Sequence, residues 1–457
     1  MAERLTAREA IAALTDRFTE SAAPAESAAP AGDTGGDGPL GWTGYAASRA
    51  RAAARTGEQE SVVHGTAVVG GHPCVLISFE FGFLGGSLGQ RTGDRLEAAY
   101  EEAVTRRLPL VSLIATGGSR MQEGMIALTQ LQRVARASAR LREAGPAQLA
   151  VLRDPTTGGG WATLGAGADV ILAVPGAQIG FAGSRVRPAD ADPAAYTAEG
   201  QFAAGSVDAV VAPGELPAVV GSWLGLLARP DAPPSPAPVP AALAAAEPPK
   251  TGWDAVLRAR AADRPRAGAY LDAYFDARLP LSGDRCGGTD PGLLCGFGLR
   301  EGRAVAYVAQ CGTATRPAGY RTAARVIRLA DRLGVPVLTL IDTPGAANDA
   351  EAERAGAGAA IADAFAAVAA ARVPVTTLVI GEGGSGGALA LAAPDNTHVT
   401  PDSYFSVIAP ELAAAILKRP PDRVRATAGQ LRLRPQDLVE LGVARSVAGP
   451  RADGQAR

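Results

Sequence analysis

The segment LPLVSLIATGGSRM around Pro109 returns as VPVLTLIDTPGAAN around Pro336, a constant offset of 336 − 109 = 227 in the numbering. At the same offset Gly158–Gly160 of DPTTGGGWA fall on Ser385–Gly387 of GEGGSGGALA. DRLEAAYEEAVTRRL, from Asp94, lies over RTAARVIRLADRLG, from Arg321, and PGAQIGFAG, from Pro175, lies over PDSYFSVIAP, from Pro401, with a one-residue slip. A chain written twice must fold into two similar domains. Its 457 residues, 47% of them hydrophobic, suffice for two cores of ordinary domain size. Two such folds can each offer a glycine-lined pocket, one for each partner of a two-substrate reaction.

Each repeat alternates strands (HPCVLISFEF, RAVAYVAQ) with amphipathic helices and with apolar strands that end in glycine. That alternation predicts a mainly parallel, helix-covered α/β sheet. Residues 20–40, rich in Ala, Pro, Gly and Ser, read as a flexible segment, and Arg229–Lys250, RPDAPPSPAPVPAALAAAEPPK, as a Pro-rich linker at the domain boundary.

The net charge of −2, without a basic run, removes the electrostatic term that drives nucleic-acid binding. Charges alternate through the N-terminal MAERLTAREAIAALTDRF and no 18-residue apolar run occurs, so the expectation is a cytoplasmic protein without membrane contact. Cys74, Cys286, Cys295 and Cys311 form no CxxC pair, and no histidine pair has zinc-ligand spacing, so no bound metal is expected. Three histidines (His64, His72, His398) and two lysines (Lys250, Lys418) leave little material for a Ser-His pair or a catalytic lysine.

In both halves glycines follow an apolar strand and open a helix, where backbone N–H groups lack intrahelical acceptors. Gly117 and Gly118, and Gly386, Gly387 and Ala388, have no bulky side chain to keep a carbonyl oxygen from those amides. Such donors stabilise an enolate or oxyanion; the plainer alternative is that the glycines only permit tight turns. GEGGSG from Gly381 matches the dinucleotide fingerprint, but the following segment ends in Thr-Pro rather than in an acid. Ser87 and Ser385 sit in G-x-S-x-G, yet His398 follows Ser385 too soon for a triad histidine. No P-loop occurs.

These residues resemble a known family, the carboxyltransferase component of acetyl-CoA and related acyl-CoA carboxylases. HGTAVVGGHPCVLISFEFGFLGGSLG, ATGGSRMQEG and RDPTTGGGWATLGAGADVILAVPGAQIGFAG resemble the bacterial beta subunit. PAGYRTAARVIRLADRLGVPVLTLIDTPGA, VIGEGGSGGALALAAPDN and YFSVIAPELAAAILK resemble the alpha subunit, so the chain is similar to a natural fusion of the two. The beta subunit's usual four-cysteine zinc ribbon is missing, and the alpha half reads SGDR, CGTATRP and TPGAAND where the family has HGDR, GRDTKE and TPGAYPG.

The resemblance implies two tandem crotonase-type (ClpP/crotonase) ββα-superhelix domains related by duplication: residues 56–228 beta-like and 251–457 alpha-like, with 1–55 an N-terminal helix and flexible segment and 229–250 a linker. It puts the acyl-CoA thioester oxygen at Gly117 and Gly118, with Gly85, Gly86, Gly158 and Gly159 beside it. Biotin's ureido oxygen goes to Gly386, Gly387 and Ala388, with Gly345, Gly383 and Gly384 nearby. Arg120 and Arg185 are candidates for CoA phosphates or else solvated arginines, and Glu123 is an acid or, preferably, a helix-start carboxylate. Carboxybiotin acts as both donor and base, which suits a chain poor in histidine. No biotinylation-type lysine occurs here, so a separate biotin carboxyl carrier protein and a biotin carboxylase are expected partners, and a homodimer or a multiple of it the assembly. Rival readings are a biotin-dependent malonyl decarboxylase, a non-catalytic carrier-binding scaffold and a crotonase-type hydratase, the last disfavoured by the lack of paired glutamates at the helix starts.

Overall fold

The computed structural model describes residues 4–24, 36–230, 233–244 and 247–450. It divides into two compact units, 1–229 and 230–457. In the first, β1 (Arg17–Glu20), β2 (Val62–Val69) and β3 (His72–Phe79) run antiparallel. Next come β4 (Leu110–Thr116), β5 (Gln148–Thr157), β6 (Val170–Ala173), β7 (Ile179–Gly180) and β8 (Ala209–Val210), all joined in parallel. The order is β1-β2-β3-β4-β5-β6-β8, with β7 on the end of β5.

The second unit repeats the plan. β9 (Ala277–Leu281), β10 (Leu293–Arg300) and β11 (Arg303–Gln310) are antiparallel; β12 (Val337–Thr343), β13 (Val375–Gly384), β14 (Thr397–Val399), β15 (Tyr404–Ser406) and β16 (Ser446–Val447) are parallel. All seven residues of β4 and of β12 are buried, as continuous apolar strands covered on both faces must be. Both hairpins close through two residues at positive φ, Gly70–Gly71 and Glu301–Gly302, the geometry that matches strand twist. The helix Gln90–Arg106 buries Leu96, Ala99, Tyr100 and Ala103 at helical spacing, and Pro317–Leu333 is its counterpart at the repeat offset.

Two segments depart from expectation. Residues 4–20 are an integral part of the first unit: Thr6 and Glu9 form a reciprocal cap on the helix Ala7–Leu14, and β1 lengthens the sheet. A four-residue edge strand, RFTE, carries too little alternation to be read from sequence. Residues 25–35 of the expected flexible segment lie outside the described residues. The Pro-rich stretch is not a free spacer where it is described. Ala237 is buried and its carbonyl accepts the Thr376 hydroxyl at 2.8 Å, Pro238 O accepts Tyr274 OH at 2.9 Å, and Ala242 N–H donates to Gly449 O at 2.9 Å. Proline removes donors but leaves carbonyls, and two of these three contacts are made by carbonyls of the stretch.

Candidate active site

In the first unit three loops converge where β4 and β5 end. The ladder between these strands shifts register between Ile114 and Thr116, which opens the sheet at this end. Gly118 (φ +104°) and Gly158 (φ +62°) then meet backbone to backbone: a Cβ built on Gly158 would lie 3.0 Å from the Gly118 Cα. A Cβ on Gly86 would lie 2.1 Å from Ala115 O. The loops holding Gly85 and Gly86, Gly117 and Gly118, and Gly158 and Gly159 are thus brought together, and glycine is required for the contact.

Open amides are a different matter. Gly117 N–H donates to Gly85 O at 2.9 Å and Gly118 N–H to Thr116 Oγ1 at 3.0 Å, so the expectation that these two receive a thioester oxygen is corrected. Gly158 N–H donates to Phe181 O at 3.1 Å. The amides left are those of Gly159 and Gly160 in the first turn of the following helix, where no carbonyl lies on the helix one turn back. That helix continues as a π turn over Trp161–Gly165, with Ala166 N–H reaching Trp161 O at 2.7 Å.

Arg120 is also corrected: it is 1% exposed and fully engaged inside the unit. Its guanidinium donates to Glu60 and Glu123, to Tyr45 OH at 3.2 Å, and to Ser87 Oγ at 3.1 Å and O at 2.8 Å, so nothing remains for a phosphate. Burial works against its charge, and Glu60, Tyr45 and Glu123 together more than offset it, so its pKa is raised. Glu123 accepts Tyr45 OH at 2.5 Å and Gln90 N–H at 2.6 Å. It therefore caps the neighbouring helix Gln90–Arg106, a structural carboxylate as preferred. Ser87 is tied to Arg120 and is no nucleophile. Arg185 is exposed beyond β7, beside Phe181 and Val186, which are 73% and 75% exposed.

The second unit repeats this turn. Gly345 N–H donates to Thr343 Oγ1 at 3.1 Å, Thr315 N–H to Gly345 O at 3.1 Å and Ala347 N–H to Thr315 O at 2.9 Å. A Cβ on Gly384 would lie 2.1 Å from Pro344 O, and one on Gly387 would lie 2.3 Å from Ala346 N, while Gly383 packs on the Phe405 ring. Tyr320 OH donates to Gly387 O at 2.9 Å, fixing the first turn of the helix Ser385–Leu389 from below. Gly386 is exposed, and a Cβ there would meet nothing within 4 Å; Ala388 is buried. Gly345, Gly383, Gly384, Gly386, Gly387 and Ala388 therefore share one turn whose open side is at Gly386. Beneath it the buried Asp342 binds Arg264 at 2.5 Å and Arg266 at 3.2 Å, anchoring the end of β12.

No histidine lies in either turn. His64 is buried in β2 and His398 in β14, where it meets Ser446 Oγ at 2.8 Å; burial lowers the pKa of both. The sequence reading put Gly159 in the acyl-CoA pocket but missed Gly160, the threonines and Tyr320, although Thr-x-Gly recurring at 116–118 and 343–345 was available as a signal.

Known proteins match both units. Residues 42–209 match the family described as "Carboxyl transferase domain" and residues 249–455 the family described as "Acetyl co-enzyme A carboxylase carboxyltransferase-like". The acetyl-coenzyme A carboxylase carboxyl transferase subunits beta/alpha of Salinispora arenicola are 39% identical over 419 residues, 86% of this chain and 74% of that protein. The chain belongs to the acetyl-CoA carboxylase carboxyltransferase family, in its fused beta/alpha form. A second member, from Clostridium tetani, is 33% identical over 86% of this chain and 72% of its own length. The probable biotin-dependent acyl-coenzyme A carboxylase beta3 subunit of Mycobacterium tuberculosis is 34% identical, over 87% and 82%. Among solved structures, transcarboxylase 12S superposes with a TM-score of 0.78 at 21% identity, over 98% of this chain and 87% of that one. A single-chain, multi-domain long-chain acyl-CoA carboxylase gives 0.73 at 22% identity, over 97% and 44%. The carboxyltransferase thus consists of two tandem crotonase-type domains related by duplication. Among the described residues, no helix is long and apolar enough to cross a membrane, and no group of three or more His, Cys, Asp or Glu is placed to hold a metal ion.

Proposed function

We propose that the protein transfers a carboxyl group from carboxybiotin, held on a separate carrier protein, to the α-carbon of an acyl-CoA, with acetyl-CoA giving malonyl-CoA. The observation that carries this reading is the pair of matching glycine turns, each a tightly packed backbone junction that opens a helix, whose first-turn amides lack intrahelical acceptors. Gly159 and Gly160 are assigned to the thioester oxygen, and Gly386, Gly387 and Ala388 to the ureido oxygen. Backbone donors held this rigidly favour the charge that develops on both oxygens during transfer. Carboxybiotin supplies the carboxyl group and, once relieved of it, the base that takes the α proton. The chain's own task is then to orient two oxygens and keep water away, for which no histidine is needed.

The Gly386 turn has room for the cofactor's bicyclic head: a Cβ on the exposed Gly386 would meet nothing within 4 Å, and the buried Ala388 presents only a methyl. Arg185, exposed beyond β7, is assigned to a CoA phosphate. A biotin carboxylase would recharge the carrier. The working assembly is proposed as a homodimer, or a multiple of it, in which the acyl-CoA turn of one chain serves the biotin turn of its partner.

The test is carboxyl transfer from malonyl-, methylmalonyl- and longer carboxyacyl-CoA to free biocytin. Carboxybiocytin formed from at least one donor supports the reading. Carbon dioxide released without a carboxylated product supports a decarboxylase instead, and binding without turnover a scaffold.

A further inference from the structure

In the second unit both oxygens of a buried carboxylate, Asp402, lack a partner. β13 pairs with β14 as far as Val379 and Val399, and with β15 from Glu382 and Tyr404 onward, so Thr400–Ser403 span a gap opposite only Ile380 and Gly381. The backbone of this turn is satisfied: Thr400 N–H donates to Val379 O at 2.9 Å, and Thr400 O accepts Ser403 N–H at 3.2 Å and Ser403 Oγ at 2.8 Å. Its side chains are not. Asp402 is 4% exposed and Thr400 0%, yet neither carboxylate oxygen of Asp402 nor the Thr400 hydroxyl is in any hydrogen bond among the described residues.

The fold itself does not call for this carboxylate. With the one-residue slip, Gly176 of the first unit lies over Asp402, and Gly176 is exposed and carries no side chain. Nor is the charge balanced from within the unit. Arg264 and Arg266 are bound to Asp342, and among the described residues no arginine, lysine or histidine pairs with Asp402. Taking a carboxylate out of water is costly unless an opposite charge repays it, and buried polar atoms as a rule have a partner. A water molecule could bond these oxygens but would leave the charge uncompensated.

We propose that Asp402 and Thr400 form a binding site for a dehydrated monovalent cation, sodium or potassium, held by the carboxylate and the threonine hydroxyl oxygen. Oxygen ligands of this kind suit hard cations rather than transition metals. A single carboxylate balances a single charge, and among the described residues no group of three or more His, Cys, Asp or Glu is placed to hold a metal ion of higher charge. The ion fills the gap between β14 and β15, against the strand that carries Gly383 and Gly384.

The test is thermal unfolding of the whole chain in sodium, potassium and tetramethylammonium chloride at one ionic strength, the last ion being too large for a buried turn. Tm should be higher in at least one alkali salt by about 2 °C or more, and should climb as that ion replaces tetramethylammonium. Asp402→Asn keeps the shape without the charge and should lose the difference between salts. Thr400→Val keeps the carboxylate and should need more of the ion for the same rise. Equal wild-type Tm in the three salts would overturn the proposal, leaving water or a proton on the carboxylate. So would a difference that Asp402→Asn keeps in full or, should that variant not fold, one that Thr400→Val leaves untouched.

Discussion

Thr116 and Thr343 hold the same place in the two units. Each hydroxyl accepts the amide two residues on, Gly118 at 3.0 Å and Gly345 at 3.1 Å, and lies against the carbonyl of the preceding loop, Gly86 O at 2.7 Å and Thr313 O at 2.8 Å. Every partner is displaced by the same repeat offset, so the duplication survives at the level of single hydrogen bonds. One short side chain fixes the loop that supports the helix-opening glycines of each turn.

Replacing Thr116 by valine keeps the shape and leaves the buried Gly118 N–H unpaired, which costs about 1–3 kcal/mol. Tm should fall by about 2–4 °C for each kcal/mol in a unit of this size, and Thr343→Val should behave alike. Scanning calorimetry of both variants checks this; wild-type Tm in either would show that the hydroxyl is dispensable.

Arg120 and Arg185 separate structure from binding. Truncating Arg120 leaves Glu60 buried without its partner, a loss of about 3–5 kcal/mol, so Arg120→Ala should unfold far below wild type. Arg185→Ala should leave Tm unchanged and raise KM for the acyl-CoA several-fold. Denaturant curves beside substrate titrations distinguish the two, and a folded Arg120→Ala with only a raised KM would reverse the assignments.

Acid should weaken the first unit through His64. Burial, then Arg95, lowers its folded pKa, so the unfolded chain binds the proton more readily. The stability it contributes is intact above the unfolded value of about 6.5 and is lost as pH falls from there toward the lower folded value. His64→Gln should flatten the fall in Tm below about pH 7 and change transfer by less than about tenfold. An unchanged slope would remove His64 from the account.

The duplication, the parallel sheet and the positions of the glycine turns were legible because a buried strand ending in glycine leaves a pattern that survives in the letters. Which amides stay open was not. Whether Gly117 N–H is free depends on where Gly85 O lies, and the two are separated in the chain by the whole helix Gln90–Arg106 and by β4. Arg120 misled for a similar reason: its partners Glu60 and Tyr45 are distant in sequence, and an arginine beside a glycine loop looks the same whether buried or solvated. The strand Arg17–Glu20 was lost because a short charged edge strand carries almost no period.

The central claim is that the open amides at Gly386 receive one of the two reacting partners. Gly386 has ordinary backbone angles, and a Cβ there meets nothing within 4 Å, so Gly386→Val should fold with wild-type Tm while its side chain fills the space before those amides. Transfer from malonyl-CoA to biocytin should then fall at least about a hundredfold, the scale of losing an oxyanion donor. A Gly386→Val protein that keeps both its Tm and its transfer rate would contradict the claim.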